Sequence, residues 1–266
     1  MKTRTIPKPA APDFADYETS GHPVSPCGRL FPTPAFYSRV SLQVFLASFR
    51  ARRGRFDDYR WHRASLKVRR AFERAGARVS IRGTGHIARL EGPCLFIGNH
   101  MSTAETFLLA SMILPFRPVT FVVKRSLVEY PVFKHVMRSR DPVVVGRSNP
   151  REDLKAVIGG GQERLKAGIS IVIFPQHTRT VEFDRESFNT IGVKLARRAG
   201  VPVIPLALKT NAWSNGKWLK DYGPFHPEES VHFEFGEPIR VGNNEREVHE
   251  AVIAFIESRL EQWSQG

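Results

Sequence analysis

Short apolar runs alternate with helix-forming segments over most of the sequence. Seven runs of six to eight residues have this character: RVSIRG (78–83), CLFIGN (94–99), VTFVVK (119–124), DPVVVG (141–146), ISIVIFP (169–175), VPVIPLAL (201–208) and VHFEFG (231–236). The segments predicted as helices between and after them are 106–114, 131–139, 151–168, 191–200 and 246–263. Strands that are apolar throughout their length are typical of parallel sheets buried on both faces. The pattern predicts an α/β fold with a mostly parallel central sheet flanked by helices on both faces.

The part of the chain before the strands differs from the rest in composition. Residues 1–34 are rich in proline and lack periodicity, which predicts an irregular arm. Residues 35–77 are predicted to form a basic helical prefix of two helices, an apolar one at 35–49 and one at 57–77 that starts with two aspartates. Residues 78–266 hold the alternating runs and are predicted to form one α/β domain.

The N-terminal region and the cysteine content bear on the compartment. The first residues are polar and proline-rich, so a secretory signal peptide is not expected. Cys27 and Cys94 are too few for a disulfide framework or a zinc cluster, which favours a reducing compartment. The apolar run 35–49 is shorter than the about 20 residues that a membrane-spanning helix needs.

The basic charge is concentrated at one end of the chain. The net charge is +14, and residues 1–90 contribute +12 of it, with 18 basic and 6 acidic side chains. Such a field attracts an anionic surface or a polyanion, although a basic solubilising face is the simpler explanation. The apolar run 35–49 is followed by RARRGR (50–55), as in helices that lie in the lipid headgroup zone. The alternative is that 35–49 is a core helix of the domain.

His100 follows CLFIGN, at the point where a parallel strand presents its carboxyl end. A neutral imidazole can accept a proton near pH 7, and a carboxylate fixes its tautomer and stabilises the imidazolium. Glu105 is the candidate partner. The two side chains can meet only if His100 lies in the turn before the next helix, because five residues of continuous helix rotate by about 500°. The alternative for Glu105 is helix capping, since Ser102 and Glu105 have the S-x-x-E spacing of a capping box.

Two further strands end in residues suited to an anion. ISIVI is followed by FPQHTRT (174–180), in which Arg179 offers a fork of donors for a phosphate and Thr178 can add a hydroxyl. DPVVVG is followed by Arg147. If the strands are parallel, these side chains meet His100 at one edge of the sheet and form an anion-binding site.

Four stretches of the sequence resemble, in order, the sequence blocks of the glycerolipid acyltransferase family, of the bacterial 1-acylglycerol-3-phosphate acyltransferase type. NHMSTAE (99–105) resembles the family's H-x4-acid block, and VVVGRSN its second block. FPQHTRT resembles the third block, usually F-P-E-G-T-R-S, and VPVIPLAL the fourth. The resemblance covers roughly residues 60 to 240.

The resemblance implies transfer of a fatty acyl group from acyl-CoA or acyl carrier protein to the hydroxyl of a lysophospholipid such as 1-acylglycerol-3-phosphate. His100 is the implied general base and Glu105 its partner; no acyl-enzyme, metal or cofactor is implied. The implied substrate-binding residues are Arg147, Phe174, Pro175, Gln176, His177, Thr178, Arg179 and Thr180, and Pro202 and Pro205 are implied to shape an acyl-binding wall. A peripheral location at an anionic membrane surface, on the cytoplasmic face, is also expected, with the basic prefix as the attachment.

The third block departs from the family pattern. Gln176 and His177 stand where the family has glutamate and glycine, which removes a carboxylate and a flexible backbone position beside the implied acceptor site. A different lyso-lipid acceptor, such as a lyso-aminolipid, is therefore an alternative, as is a non-catalytic lipid-binding relative. A nucleic-acid partner is not expected, because helix-turn-helix, zinc and RNP-like patterns are missing from the sequence.

Overall fold

The computed structural model describes residues 6, 16–21, 24–146, 148–176, 178–218 and 220–265. Within them the strands are β1 (Tyr17–Glu18), β2 (Val79–Arg82), β3 (Leu95–Gly98), β4 (Val119–Lys124), β5 (Val143–Val145), β6 (Ser170–Ile173), β7 (Val203–Lys209) and β8 (Val231–Phe235). The helices are α1 (Pro26–Leu30), α2 (Pro32–Arg52), α3 (Asp58–Arg74), α4 (Thr84–Arg89), α5 (Ala104–Ile113), α6 (Phe133–Arg138), α7 (Pro150–Lys166), α8 (Ile191–Ala199) and α9 (Glu245–Ser264). A short 3-10 helix, Arg125–Val128, follows β4.

These strands form one sheet in the order β1-β2-β8-β7-β3-β6-β4-β5. The pairs β1–β2 and β7–β8 are antiparallel, and the other neighbouring pairs are parallel. The central strand β3 lies between β6 and β7 and runs parallel to both. The turns that follow β3, β4 and β6 therefore open at the same edge of the sheet.

Helices cover both faces of the sheet. On β3, the side chain of Phe96 belongs to the core that contains α3 and α5, whereas Leu95 and Ile97 belong to the core that contains α7, α8 and α9. Because successive side chains of a strand point to opposite faces, an apolar strand can contribute to both cores. The predicted fold class, a mostly parallel sheet flanked by helices on both faces, is confirmed.

The two helices of the predicted prefix, residues 35–77, belong to the same core as the sheet. Phe36 of α2 stacks on Phe225, with the ring centroids 4.3 Å apart, and packs edge-on against Phe72 of α3 at 4.8 Å. All three rings are buried. One hydrophobic core therefore includes residues on both sides of the predicted division between residues 77 and 78.

Part of the predicted irregular arm, residues 1–34, has regular structure. Tyr17–Glu18 add an edge strand to β2, and Pro26–Leu30 form α1. The hydroxyl of Tyr17 donates to the buried carboxylate of Glu73 at 2.5 Å, which fastens the edge strand to α3. The proline content was misleading, because prolines stand in the first turns of α1 and α2, where the missing N–H costs no helical hydrogen bond.

Helix α2 has an apolar face that the core does not cover. Leu42, Phe45 and Phe49 are 55–60% exposed and lie on one stripe of the helix, since their spacing is three and four residues. The guanidinium of Arg53 lies 3.6 Å above the ring of Phe49. Among the helices that the structure describes, none is long and apolar enough to cross a membrane.

His232 of β8 connects the sheet to α9 through a ring stack on Trp263, with the centroids 4.9 Å apart. Burial, together with the nearby charges of Lys209 and Arg82, lowers the pKa of His232 to about 4. The unfolded chain binds a proton at this residue near its ordinary pKa of about 6.5. The folded state therefore loses stability as the pH falls from about 6.5 towards 4, because protonation then favours the unfolded chain.

We expect His232→Phe to weaken this pH dependence, because phenylalanine keeps a stacked ring and has no group that titrates. After allowance for solvent screening of a half-buried residue, the wild type should lose about 1–2 kcal/mol more than the variant between pH 7.5 and 4.5. Urea unfolding at both pH values measures the difference. Parallel stability losses in the two proteins would contradict the assignment.

Candidate active site

The turn after β3 presents His100 at the carboxyl edge of the sheet. Asn99 is buried and fixes the end of the strand: its amide donates to the carbonyl of Leu208 at 2.8 Å, and its side-chain oxygen accepts from the N–H of Leu208 at 3.0 Å. Gly98 is so close to β7 that a Cβ atom there would lie 2.7 Å from the carbonyl oxygen of Leu206. The glycine and asparagine before His100 thus fix the position from which the imidazole projects.

His100 and Glu105 are in direct contact. The Nδ1 atom of His100 lies 2.5 Å from Oε2 of Glu105, whose side chain is fully buried. The other carboxylate oxygen, Oε1, accepts from the N–H groups of Met101 at 3.1 Å and Ser102 at 2.7 Å and from the hydroxyl of Thr210. The carboxylate thus makes both expected contacts, since one oxygen accepts from the N–H groups just before α5 and the other contacts the imidazole.

The contact with Glu105 determines which nitrogen of His100 can act on a substrate. A carboxylate oxygen only accepts, so we assign the ring hydrogen to Nδ1 and the free lone pair to Nε2. The imidazole lines a cavity of about 420 Å³ at the edge of the sheet. An imidazole with one free ring nitrogen and a buried carboxylate at the other can act as a general base.

The turn after β6 packs against both the ring and the backbone of His100. The ring of Phe174 is parallel to the imidazole, with the centroids 4.5 Å apart. Gln176 accepts from the N–H of His100 at 2.6 Å and donates to the hydroxyl of Thr180 at 2.9 Å, and the N–H of Thr180 donates to the carbonyl of His100 at 3.0 Å. This turn therefore fixes both the backbone and the ring of His100.

Cationic side chains line the same cavity, which we call the reaction cavity. They are Lys124 at the end of β4, Arg179 in the turn after β6, and Lys220 in the loop between β7 and β8. Lys220 also lies 3.4 Å from the hydroxyl of Thr178. Arg179 forms an ion pair with Asp221 at 2.8 Å and donates to the hydroxyl of Thr103. The side chains bring positive charge to the place where His100 would act, as an anionic headgroup requires.

A second cavity, which we call the apolar pocket, adjoins the reaction cavity below α2. It has a volume of about 150 Å³, and Tyr37, Val40 and Val44 of α2 form one wall. Phe107 and Phe133 line both cavities. An apolar chain bound in this pocket would therefore lie between α2 and the reaction cavity.

The structure brings together most of the predicted site residues that it describes. His100, Phe174, Thr178 and Arg179 line the reaction cavity. Arg147 and His177 lie outside the described residues.

Gln176 does not reach the cavity as a substrate contact, because it is 3% exposed and both ends of its amide are occupied by the His100 backbone and Thr180. Thr180 belongs to the same hydrogen-bond network, because its hydroxyl accepts from the Gln176 amide. The carbonyl of Pro175 accepts from the side-chain amide of Asn189. None of these three residues lines the reaction cavity.

Pro202 and Pro205, predicted to shape an acyl-binding wall, do not line either cavity. The carbonyl of Pro202 accepts from the N–H of Leu95 at 3.0 Å, and that of Pro205 accepts from the N–H of Gly236 at 2.8 Å. Both prolines thus hold β7 to its neighbours. The apolar lining next to the reaction cavity comes instead from α2, α5 and α6.

Comparison with known proteins agrees with this geometry. The family model described as Acyltransferase matches residues 78–209. A 1-acyl-sn-glycerol-3-phosphate acyltransferase from Pseudomonas aeruginosa is 35% identical over 184 residues, which are 68% of this chain and 68% of that protein. The chain belongs to the glycerolipid acyltransferase family. The alignment covers about two thirds of each chain, which is more than a shared local motif would account for.

Two further relatives of this acyltransferase are more distant. A chloroplastic 1-acyl-sn-glycerol-3-phosphate acyltransferase from Brassica napus is 26% identical over 131 residues, which are 49% of this chain and 37% of that protein. The crystal structure of the 1-acyl-sn-glycerophosphate (LPA) acyltransferase PlsC from Thermotoga maritima aligns with a TM-score of 0.65 at 22% identity. It covers 88% of this chain and 95% of that chain. At this identity the structural likeness establishes the fold.

Several residues of the acyltransferase site were not predicted from the sequence. Thr103, Lys124, Lys220 and Asp221 line the reaction cavity, and Thr210 donates to Glu105 from behind it. Lys220 and Asp221 lie in a loop without periodicity, between strands 201–208 and 231–236. The only sequence signal available was the polar character of these residues after an apolar strand.

We expect Glu105→Gln to separate the two roles of the carboxylate. The amide can keep an oxygen for the N–H groups of Met101 and Ser102, but its NH2 group cannot accept from Nδ1 of His100. The variant should lose about 10²- to 10⁴-fold in kcat for acyl transfer and only about 1–2 kcal/mol of unfolding free energy. Glu105→Ala should lose more stability because both functions disappear. Full activity in Glu105→Gln would show that Glu105 is only a cap.

Proposed function

We propose that this acyltransferase transfers a fatty acyl group from a thioester, carried by CoA or acyl carrier protein, to the hydroxyl of 1-acylglycerol-3-phosphate. The observation that carries the proposal is the His100–Glu105 pair facing a cavity that combines three cationic side chains with an adjoining apolar pocket. A lysophospholipid phosphate has the charge that suits the cations. Its acyl chain, or that of the donor, suits the apolar pocket.

In the proposed reaction, Nε2 of His100 removes the proton of the acceptor hydroxyl while the oxygen attacks the thioester carbonyl. The carboxylate of Glu105 stabilises the resulting imidazolium through Nδ1. The tetrahedral intermediate then collapses, the C–S bond breaks, and the imidazolium returns the proton to the leaving thiolate. Ester and thiol are the products, so neither a covalent acyl-enzyme nor an oxidant is needed.

Two candidate nucleophiles for an acyl-enzyme are poorly placed for that role. Ser102 donates to Thr210 at 2.9 Å, accepts from the N–H of Ala104 at 3.1 Å, and is buried. Cys94 is fully buried in the strand region, and burial raises the pKa of its thiol to about 11, so little thiolate forms near neutral pH. Direct transfer is therefore the simpler mechanism.

The phosphate of the acceptor is proposed to bind among Lys124, Arg179 and Lys220. Arginine and lysine donors stabilise a phosphate through charge-assisted hydrogen bonds, and Arg179 can present two parallel N–H groups. Because His100 lines the same cavity as these cations, a phosphate bound among them would place the glycerol hydroxyl in the cavity that His100 borders.

We expect His100→Ala to lose acyl transfer by at least about 10²- to 10⁴-fold, because the variant lacks the imidazole that is proposed to remove the hydroxyl proton. The assay uses labelled acyl thioester with a panel of lysolipids, and mass spectrometry reads the products. His226→Ala, which changes an exposed histidine in a loop, is the matched control and should keep activity.

Thermal unfolding should show that His100→Ala still folds. A wild-type preference for a lyso-aminolipid would contradict the proposed acceptor but not the chemistry. Absence of transfer to every acceptor would contradict the function.

The enzyme is also proposed to act as a peripheral protein at an anionic membrane, on the cytoplasmic face. The exposed stripe Leu42, Phe45 and Phe49 can enter the acyl boundary of a lipid leaflet. The arginines at the end of α2 and just after it can contact lipid phosphates. Phe45 also lines the apolar pocket, so this surface adjoins the proposed path of the acyl chain.

We expect the double substitution Phe45→Ser and Phe49→Ser to weaken binding to vesicles that contain anionic lipid by at least about tenfold, since two exposed aromatic side chains lose their insertion energy. Vesicle sedimentation measures the change. Val181→Ser removes a comparably exposed apolar side chain outside α2 and serves as the control. Equal binding of the double variant and the wild type would argue against α2 as the attachment.

A further inference from the structure

One acidic side chain lies among the cations of the reaction cavity. Of the described residues that line it, Asp221 is the only aspartate or glutamate. Its Oδ1 atom lies 2.8 Å from Nη2 of Arg179 and accepts from the hydroxyl of Thr103 at 3.0 Å. The side chain of Arg179 is 16% exposed and that of Asp221 36%, so water screens the pair only in part.

The position of Asp221 is fixed by its own backbone and by the loop around it. Its carbonyl accepts from the indole N–H of Trp213 at 3.1 Å. Tyr37 of α2 donates to the carbonyl of Gly223 at 2.6 Å, and burial raises the pKa of Tyr37 to about 12, so the hydroxyl keeps its hydrogen. Asn215 donates to the carbonyl of Met101 at 2.9 Å on the other side of the loop. The carboxylate is thus placed beside Arg179 by a loop with several anchors.

Both terminal nitrogens of Arg179 are engaged by this arrangement. Nη1 donates to Thr103 and Nη2 donates to Asp221. A phosphate that took the two N–H groups of the guanidinium edge would have to displace the carboxylate of Asp221. It would also come close to a like charge, which weakens anion binding.

We propose that Asp221 is a specificity-determining residue whose carboxylate competes with the acceptor headgroup for the guanidinium of Arg179. The inference rests on the proposed function, because it takes the acceptor to be an anionic lysolipid. The competition costs most for the headgroup with the greatest negative charge, since that headgroup is repelled most strongly by the carboxylate. Asp221 therefore lowers the advantage of a phosphate monoester over a zwitterionic phosphodiester headgroup.

The alternative role of Asp221 is to hold Arg179 in position for the acceptor. The two roles predict opposite changes in KM when the carboxylate is removed. If Asp221 competes, the anion site becomes stronger in Asp221→Asn; if it positions Arg179, the site becomes weaker. The sign of the change therefore decides between the roles.

We expect Asp221→Asn to lower the KM for 1-acylglycerol-3-phosphate by roughly tenfold, the scale of one charge-assisted contact. The KM for lysophosphatidylcholine, whose headgroup is zwitterionic, should fall less. Asp221→Glu keeps a competing carboxylate and should stay closer to the wild type. Glu163→Gln removes one carboxylate from the exposed face of α7 and is the control for net charge.

A binding measurement keeps this test separate from the test of the proposed function. Titration calorimetry with inorganic phosphate should give a lower Kd for Asp221→Asn than for the wild type and Glu163→Gln, whether or not the enzyme turns over. Thermal unfolding verifies that the variant is folded. A KM or phosphate Kd that rises or stays the same in Asp221→Asn would overturn the proposal, as would an Asp221→Glu variant that behaves like Asp221→Asn. Failure of acyl transfer by the wild type would overturn the proposed function alone.

Discussion

The buried carboxylate of Glu105 is the interaction on which the site depends. An isolated carboxylate in a protein interior costs several kcal/mol, and the cost falls only when donors surround it. Here Oε1 accepts from two N–H groups at the start of α5 and from Thr210, while Oε2 faces His100. The carboxylate of Glu105 therefore contacts the start of α5, the end of β7 and the imidazole. Displacing any of these groups leaves the buried negative charge with fewer hydrogen-bond donors.

The order of the strands explains why the site lies at the middle of the sheet. β3 lies between β6 and β7, so the turn after β6 contacts His100 and Thr210, just after β7, contacts Glu105. Asn99 ties the end of β3 to β7, and Gln176 ties the turn after β6 to the backbone of His100. Parallel strands thus bring together residues that are far apart in the sequence, and several strand ends hold the imidazole of His100 more rigidly than a single loop could.

Local patterns were sufficient to predict the strands from β2 to β8 and most helices, because apolar runs and helical periodicity record burial directly. The turn position of His100 could also be predicted from the glycine that ends β3. The role of Gln176 could not be predicted from the sequence, because an amide side chain in a motif can bind either a substrate or the backbone. The packing of α2 depends on Phe225, nearly 190 residues away, and Asp221 reaches Arg179 from a loop without a pattern. Contacts over such separations leave little local signal.

The two faces of α2 explain how one helix can serve both the core and the proposed membrane contact. Val40 and Phe36 are buried, and Tyr37 and Val44 border the apolar pocket, whereas Leu42 and Phe49 point outwards. Phe45 is 60% exposed and also lines the pocket, so it belongs to both surfaces. An acyl chain in the apolar pocket would therefore contact Tyr37, Val44 and Phe45 of α2 and end beside the cavity that His100 lines. Each CH2 group of the chain that these side chains remove from water would contribute about 0.8 kcal/mol.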